Sequence, residues 1–177
     1  MARFLLLAAA TLVAACGNSD NQVFGGVGAT TDTPSAIIPN VNSAISAVVP
    51  IPDAQGNKTN YDVVVLADSS NLCRTLAGKP DYFKTASEAF TALILITPAD
   101  TLGTFQIGAS NGAFVRLEVT PGAGSPVTAY SGTAGLVSLR EFGGTSSGTF
   151  DLIMANCCRM FGKFKASACP ALANAGF

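Results

Sequence analysis

The stretch GLVSLREFGGTSSGTFDLIMANCCRMFGKFKASAC, residues 135–169, uses one short pattern twice. Residues 148–150 (GTF) and 162–164 (GKF) each place a glycine two positions before a phenylalanine. Because side chains alternate between the two faces of a strand, each glycine shares a face with its phenylalanine. A glycine there leaves room for a neighbouring ring to lie over the backbone. The stretch predicts the closing meander of an antiparallel β domain, and it contains no signature of a reaction.

The rest of the chain contains further short apolar segments separated by turn residues. One short helix is expected over residues 72–78, because residues 68–71 (DSSN) offer N-caps and Gly78 precedes Lys79 and Pro80. Residues 81–89 fit either a second helical turn or a loop. Strands are expected at residues 41–51, 61–67, 90–97, 104–107, 113–119, 127–130, 135–142, 148–155 and 160–168. This order predicts an all-β fold, an antiparallel sandwich or barrel-like domain with one short α-helix.

The N-terminus has the organisation of an export signal. Residues 1–3 (MAR) are basic, and residues 4–15 form an apolar run shorter than the roughly 20 residues that a membrane-spanning helix needs. The run ends in residues 13–16 (VAAC), which resemble a bacterial lipobox. The resemblance implies cleavage before Cys16 by signal peptidase II and acylation of its thiol. An ordinary secretory signal with a coincidental cysteine is the alternative.

The lipobox resemblance also implies a location. Residue 17 is Gly rather than Asp, which by the sorting rules of enteric bacteria favours the outer membrane. Several acyl chains anchor a protein stably, whereas one chain binds only marginally. We therefore expect a cell-envelope protein that is attached to the membrane, its expected partner, by a lipid anchor.

Composition divides the chain into three parts. Residues 1–15 are the predicted signal peptide. Residues 16–36 are predicted to be a lipidated flexible tether, because they contain few apolar side chains, and residues 37–177 are predicted to form a single β-rich domain. Removing the signal takes away only Arg3, which leaves nine basic residues against eleven acidic ones and a net charge of −2. Without a basic excess, a nucleic-acid partner is not expected.

The four cysteines other than Cys16 indicate disulfides, since an even number in an exported chain is typical of them. A Cys157–Cys158 bridge would be strained, because adjacent Cα atoms lie about 3.8 Å apart and disulfides usually need about 4.4–6.8 Å. We favour Cys73–Cys169, which would tie the helix to the last strand. Cys157 and Cys158 would then form a strained bridge or remain free thiols. In the alternative, Cys73 and Cys169 each pair with one of the adjacent cysteines.

The chain has no histidine. This excludes Ser-His-Asp and Cys-His nucleophiles, histidine bases and every zinc site built on imidazole. Residues 144–148 (GTSSG) match the G-x-S-x-G pattern, but they lie between two predicted strands rather than before a helix, so a hairpin loop is expected. We expect no catalytic residue, no metal and no cofactor.

Carboxylates and aromatic rings are the remaining candidates for catalytic or ligand-binding residues. Two acids at a suitable separation could hydrolyse a glycoside, although solvated or capping roles are the better interpretation. Arg116 and Glu118 share a strand face and are expected to form an exposed pair. The acids considered are Asp62, Asp68, Glu88, Asp100, Glu118, Glu141 and Asp151. Rings that could line a ligand cavity, although core packing is favoured, are Tyr61, Tyr82, Phe83, Phe90 and Phe114.

A calcium loop built from Asp53, Asn57, Asn60 and Asp62 is conceivable because these residues supply oxygen ligands. It lacks the regular ligand alternation of an EF-hand loop. A bound calcium ion is therefore not the favoured interpretation.

Beyond the lipobox, the chain resembles a loose group of small bacterial lipoproteins of unknown function, common in myxobacteria and their relatives. The resembling segments are residues 63–68 (VVVLAD), 71–73 (NLC), 148–150 and 162–164, followed by Cys169. The adjacent cysteines depart from that pattern, and the group implies no catalytic residues. We expect a non-catalytic envelope lipoprotein that is a structural or binding module. The sequence does not identify its protein or small-ligand partner. The alternatives are a lipocalin-like carrier and a carboxylate-based hydrolase.

Overall fold

A computed structural model describes residues 21–27, 40–86, 88–120, 122, 126–156 and 158–175. Within them the chain forms nine strands, two short α-helices, α1 (Leu72–Gly78) and α2 (Tyr82–Thr85), and a 3-10 helix at Pro170–Asn174. The strands are β1 (Gln22–Val27), β2 (Ser43–Pro52), β3 (Lys58–Ala67), β4 (Phe90–Pro98), β5 (Gly103–Gln106), β6 (Phe114–Thr120), β7 (Thr128–Glu141), β8 (Thr145–Met154) and β9 (Cys158–Ala168).

The strand pairings of this single sheet close into a ring. They run from β9 to β2, β3, β4, β6, β7, β8 and back to β9. All are antiparallel except the short β2–β9 contact, where Ile45 and Ser46 lie opposite Ser167 and Ala168. Strand β1 also pairs with β9, and β5 with β7. The architecture is all-β and barrel-like with few helices, which confirms the predicted fold class.

The inside of the ring is filled by side chains. Alternate residues of the strands point inward, as the period of two requires. The inward-facing cluster includes Val64, Leu66, Leu93, Leu95, Val115, Leu117, Val137, Leu139, Phe150, Leu152, Met160 and Phe164, all of them buried. This cluster is the main core of the domain.

A second core covers the outer face of β2, β3 and β4. Helix α1, helix α2 and the 3-10 helix pack there through residues that include Leu72, Leu76, Phe83 and Leu172. Strand β3 is consequently buried on both faces, since Val64 and Leu66 point inward while Val63 and Val65 point toward the helices. Burial on both faces explains why residues 63–67 of β3 are an unbroken apolar run rather than an alternating one.

The repeated glycine–phenylalanine pattern has the role that the sequence predicts. Gly148 lies opposite Phe164 in the β8–β9 ladder. A Cβ atom at Gly148 would lie 2.7 Å from Cζ of Phe164 and would collide with the carbonyl oxygen of Ser138. The ring of Phe164 thus lies over the glycine, and this close approach defines the register of the last hairpin.

The cysteines join distant parts of the fold. Cys73 of α1 and Cys169, which follows β9, form a disulfide with a Cα–Cα distance of 5.7 Å, as in the favoured pairing. Cys158 is also disulfide-bonded, so it is not a free thiol. Cys157 lies outside the described residues, as does Cys16. The alternative in which Cys73 and Cys169 bond to the adjacent pair is therefore wrong.

The structure corrects the predicted boundaries in two places. Gln22–Val27, assigned to the flexible tether, forms strand β1, with Val23 buried against the main core. The reason is that β9 offers a free edge, and backbone pairing there needs no apolar sequence. The two strands predicted at residues 127–130 and 135–142 are one strand, β7, with an irregularity between Gly132 and Ala134.

Helices are also more numerous than predicted. Residues 82–85 of the ambiguous segment form α2, and residues 170–174 form the 3-10 helix. Helix α1 begins after Asn71, which has a left-handed backbone and makes no side-chain capping bond. Ser43 Oγ instead accepts a hydrogen bond from the backbone N–H of Leu72 at 3.2 Å, so a neighbouring strand provides the cap.

Candidate functional site

The serine of the G-x-S-x-G match is part of the core. Ser146 lies in β8 rather than in the expected hairpin loop, is 0% exposed, and donates a 2.8 Å hydrogen bond to Ser46 Oγ. A buried hydroxyl that bonds to another serine has no route to a substrate and no base beside it. Ser146 therefore joins β8 to β2 and has no nucleophilic role.

Most of the candidate carboxylates have separate local partners. Asp68 Oδ1 accepts the backbone N–H of Thr91 at 2.8 Å, and Glu88 accepts the Tyr82 hydroxyl at 3.3 Å. Asp151 receives two hydrogen bonds from Arg159, of 2.9 and 2.7 Å. These bonds lower the pKa of Asp151. Such contacts are local and structural.

Arg116 and Glu118 pair as expected, but the pair is only half exposed. Arg116 Nε lies 2.8 Å from Glu118 Oε1, and the glutamate side chain is buried. Burial raises the pKa of Glu118, and the charges of Arg116 and Lys84 oppose that shift. The expectation of an exposed pair is wrong for Glu118, whose side chain is buried and lies within electrostatic reach of Lys84 of α2.

The oxygen ligands suggested for calcium are not brought together. Asp53 Oδ1 accepts the backbone N–H groups of Gln55 and Asn57, and Asp53 Oδ2 accepts the Asn57 amide at 3.1 Å. This carboxylate therefore closes the β2–β3 turn. Asp62 is buried further along β3, and no cluster of three metal-ligating side chains occurs among the described residues.

Asp62 is the most perturbed carboxylate in the described part of the chain. It lies on the inward face of β3, opposite Thr97 of β4, and is only 2% exposed. Neither of its side-chain oxygens has a hydrogen-bond partner of good geometry. Burial, helped by the charge of Asp100, raises the pKa of Asp62 to about 6, and the backbone N–H of Asp100 only partly opposes this.

The raised pKa of Asp62 predicts a pH-dependent stability. A group with a higher pKa in the folded state stabilises the fold fully below its unfolded value of 3.8, and this contribution is lost as the pH rises through about 6. We expect Asp62→Asn to be more stable than the wild type by about 3 kcal/mol at pH 8, given about 1.4 kcal/mol per pKa unit. The difference should vanish near pH 4.

Urea titrations of both proteins between pH 4 and pH 8 measure this difference. The control is Asp151→Asn, whose carboxylate has a lowered pKa. That variant should lose under about 1 kcal/mol at neutral pH, because an exposed ion pair contributes little. A constant difference between wild type and Asp62→Asn at all pH values would show that Asp62 does not titrate in this range.

The aromatic candidates divide into two groups. Tyr82, Phe83 and Phe90 pack on one another beneath α2, with ring centroids 5.5 to 6.1 Å apart. They belong to the second core, as core packing predicts. Phe114 is instead exposed on the outer surface. Tyr61 is half-buried against the second core and contacts Phe114, with ring centroids 6.4 Å apart and planes at 83°.

Tyr61 and Phe114 border a surface groove of about 290 Å³, which we call the Tyr61–Phe114 groove. Strand β3, the turn after β4 and the loop before β6 supply its walls. Phe114 is 52% exposed, an unusual position for a ring of this size. The lining residues are Thr59, Asn60, Tyr61, Pro98, Ala99, Ser110, Asn111, Gly112 and Phe114, none of them charged.

The loop that carries Ser110 and Asn111 is held in one conformation. Ile107 and Ala113 form a bridge across its base, and the N–H of Ala113 donates a 3.0 Å hydrogen bond to the carbonyl of Gln106. A Cβ atom at Gly112 would collide with that same carbonyl oxygen. The close approach requires glycine at this position.

Sequence reasoning missed the polar part of this groove. Thr59, Asn60, Ser110 and Asn111 occur in two separate turn-rich segments that predict only loops. The available signal was an aromatic residue beside each segment, Tyr61 and Phe114. That signal becomes informative only when β3, β4 and β6 are known to be neighbours.

Comparison with protein-family models, with curated proteins and with solved structures finds no significant match. The interpretation of this chain therefore depends on its own sequence and geometry.

The described residues include no helix of the length and apolar character needed to cross a membrane.

Proposed function

We propose that this chain is a lipid-anchored, non-catalytic binding module of the cell envelope, in the outer membrane. The anchor is Cys16 in the lipobox-like residues 13–16, where acylation would supply the membrane contact. The Cys73–Cys169 disulfide supports export, because such bonds persist in oxidising compartments. One observation carries the binding role: the inside of the ring is filled, whereas the Tyr61–Phe114 groove on the outside is open and lined by neutral polar groups and rings.

A surface binder accounts for the geometry better than a carrier does. A lipocalin-like protein holds its ligand inside the barrel, but here Phe150, Leu152 and Met160 occupy that space. A ligand of this domain would have to bind on the outer surface.

A carboxylate hydrolase is also less consistent with the side chains. Its two acids must reach the substrate from opposite sides of one bond. Asp62, the carboxylate with the raised pKa, is buried, and Asp151 is engaged by Arg159. Neither acid contributes to the Tyr61–Phe114 groove.

The anchor assignment predicts the behaviour of Cys16→Ala. Expressed at full length in a Gram-negative host, the wild-type chain should incorporate labelled palmitate and sediment with outer membranes. Cys16→Ala should lose the label and leave the membrane fraction, because the acylated sulfur is absent. Ser19→Ala, three residues further on, is the control and should behave like the wild type. Membrane retention of unlabelled Cys16→Ala would contradict the proposed anchor.

A further inference from the structure

The Tyr61–Phe114 groove contains two kinds of binding group. Tyr61 and Phe114 offer ring faces, while Thr59, Asn60, Ser110 and Asn111 offer hydroxyl and amide groups. Within the described part of the chain, no hydrogen bond engages these four polar side chains. Their donors and acceptors are therefore available to a ligand. A ligand that satisfies both kinds of group must itself be partly apolar and rich in hydroxyls.

The absence of charge in the groove wall narrows the ligand class. None of the nine lining residues is acidic or basic. A charged ligand would lose hydration there without gaining an opposite charge, which is unfavourable. A wholly apolar ligand would leave the polar side chains without their hydrogen bonds. Sugars without ionised groups meet both conditions, since their C–H faces stack on rings and their hydroxyls bond to amides.

A peptide fits this position less well. Extended peptides gain most of their affinity by adding a strand to a free sheet edge. Tyr61 of β3 is already paired on both sides, with Val49 of β2 and with Pro98 of β4. Residues 58–60 of β3 pair only with β2, so the free edge beneath the groove is three residues long, shorter than the about five to six residues of a typical strand. Recognition there depends mainly on side chains.

The size and rigidity of the groove agree with a short saccharide segment. Its volume of about 290 Å³ lies at the small end of the roughly 300–1,000 Å³ typical of ligand sites. The loop over residues 107–113 is held by its bridge and by Gly112. Preorganised walls reduce the entropy that binding must overcome.

We infer that the Tyr61–Phe114 groove binds a neutral glycan, with one sugar ring against Phe114 and its hydroxyls bonded to Thr59 and Asn111. This inference rests on the proposed function, because it names the ligand of the proposed binding module. It assigns the ring of Phe114 the largest share of the contact, since this side chain is the more exposed of the two rings.

The test uses the full-length acylated chain in detergent and an immobilised panel of neutral hexasaccharides built from glucose, galactose, mannose or N-acetylglucosamine. We expect saturable binding to at least one of them. Phe114→Ala should weaken that binding roughly five- to tenfold, the loss expected for one aromatic contact. Asn111→Ala should weaken it as well, and it provides a second variant if Phe114→Ala fails to fold. The control is Leu136→Ala, an exposed apolar residue of β7 outside the groove, which should bind like the wild type.

Three outcomes would overturn the inference: no binding to any neutral glycan, binding that Phe114→Ala and Asn111→Ala leave unchanged, or preference for uronic-acid-containing or other acidic glycans. Saturable binding of a peptide library at the groove would overturn it in favour of a protein partner. Palmitate labelling of the same preparation separates the two proposals. A palmitate-labelled, membrane-bound chain that binds no glycan contradicts the inference but does not contradict the proposed lipid anchor.

Discussion

Removing the Cys73–Cys169 disulfide is expected to lower the free energy of unfolding by about 4 kcal/mol. The two cysteines are 96 residues apart in the sequence, so the bond closes a long loop in the unfolded chain. In the chain-entropy account, a loop of this length restricts the unfolded ensemble strongly, by up to about 4.7 kcal/mol. Cys169 is also fully buried beside Leu172 and α1, and its loss would loosen the helices packed on β2.

The measurement is urea unfolding of Cys73→Ala/Cys169→Ala against the wild type under non-reducing conditions. Replacing both residues avoids a free thiol that could exchange with the Cys158 disulfide. Arg74→Ala, an exposed neighbour on α1, is the control and should change stability by under about 0.5 kcal/mol. A loss of less than about 1 kcal/mol in the double variant would show that the bond constrains little. Mass spectrometry of the non-reduced wild type should find the Cys73 peptide linked to Cys169.

Gly148→Ala is expected to cost about 3 kcal/mol or more. The added methyl would collide with the backbone carbonyl of Ser138 and lie 2.7 Å from the ring of Phe164. A backbone oxygen in the β7–β8 ladder cannot move without breaking the pairing of Ser138 with Thr149. The expected result is a large loss of stability or a shifted register of the last hairpin, because the core around Phe164 is closely packed.

Thermal and urea unfolding of Gly148→Ala test this expectation, and Gly144→Ala is the matched control. Gly144 lies four residues earlier, and a Cβ atom there would meet no other atom within 4 Å. The control should therefore change stability by under about 0.5 kcal/mol. Equal stabilities of the two variants would mean that the ring of Phe164 can leave Gly148 at little cost.

Much of the fold can be predicted from local patterns. The alternation of residues 148–155 and 160–168, the turn residues between them and the two glycine–phenylalanine pairs all indicate antiparallel hairpins, and β8 and β9 are present. The turn residues 68–71 and Gly78 indicate α1, which occupies Leu72–Gly78, although its N-terminal capping bond comes from Ser43 of β2 and not from Asn71. These elements agree with the prediction because each depends on residues within one strand or one turn of helix.

Other features could not be predicted because they depend on neighbours far away in the sequence. The polar composition of residues 16–36 indicates a tether, yet Gln22–Val27 pairs with β9. The sequence predicts that Asp62 lies at a strand end and is exposed to solvent. Closure of the ring instead places its side chain inside. Closure of the ring also buries Ser146, whose hydroxyl donates a hydrogen bond to Ser46 of β2, a strand 100 residues earlier in the sequence.

The sequence by itself determined the all-β class, the short helix at residue 72 and the exclusion of histidine chemistry, and it predicts an export signal at the N-terminus. Composition and short-range periodicity carry that information, because they reflect which side chains can be buried or must stay in water. Only the tertiary structure decided that Asn60 and Asn111, 51 positions apart, face one groove between Tyr61 and Phe114. The register of β3, β4 and β6 brings those segments together, and register is set by packing across the whole sheet.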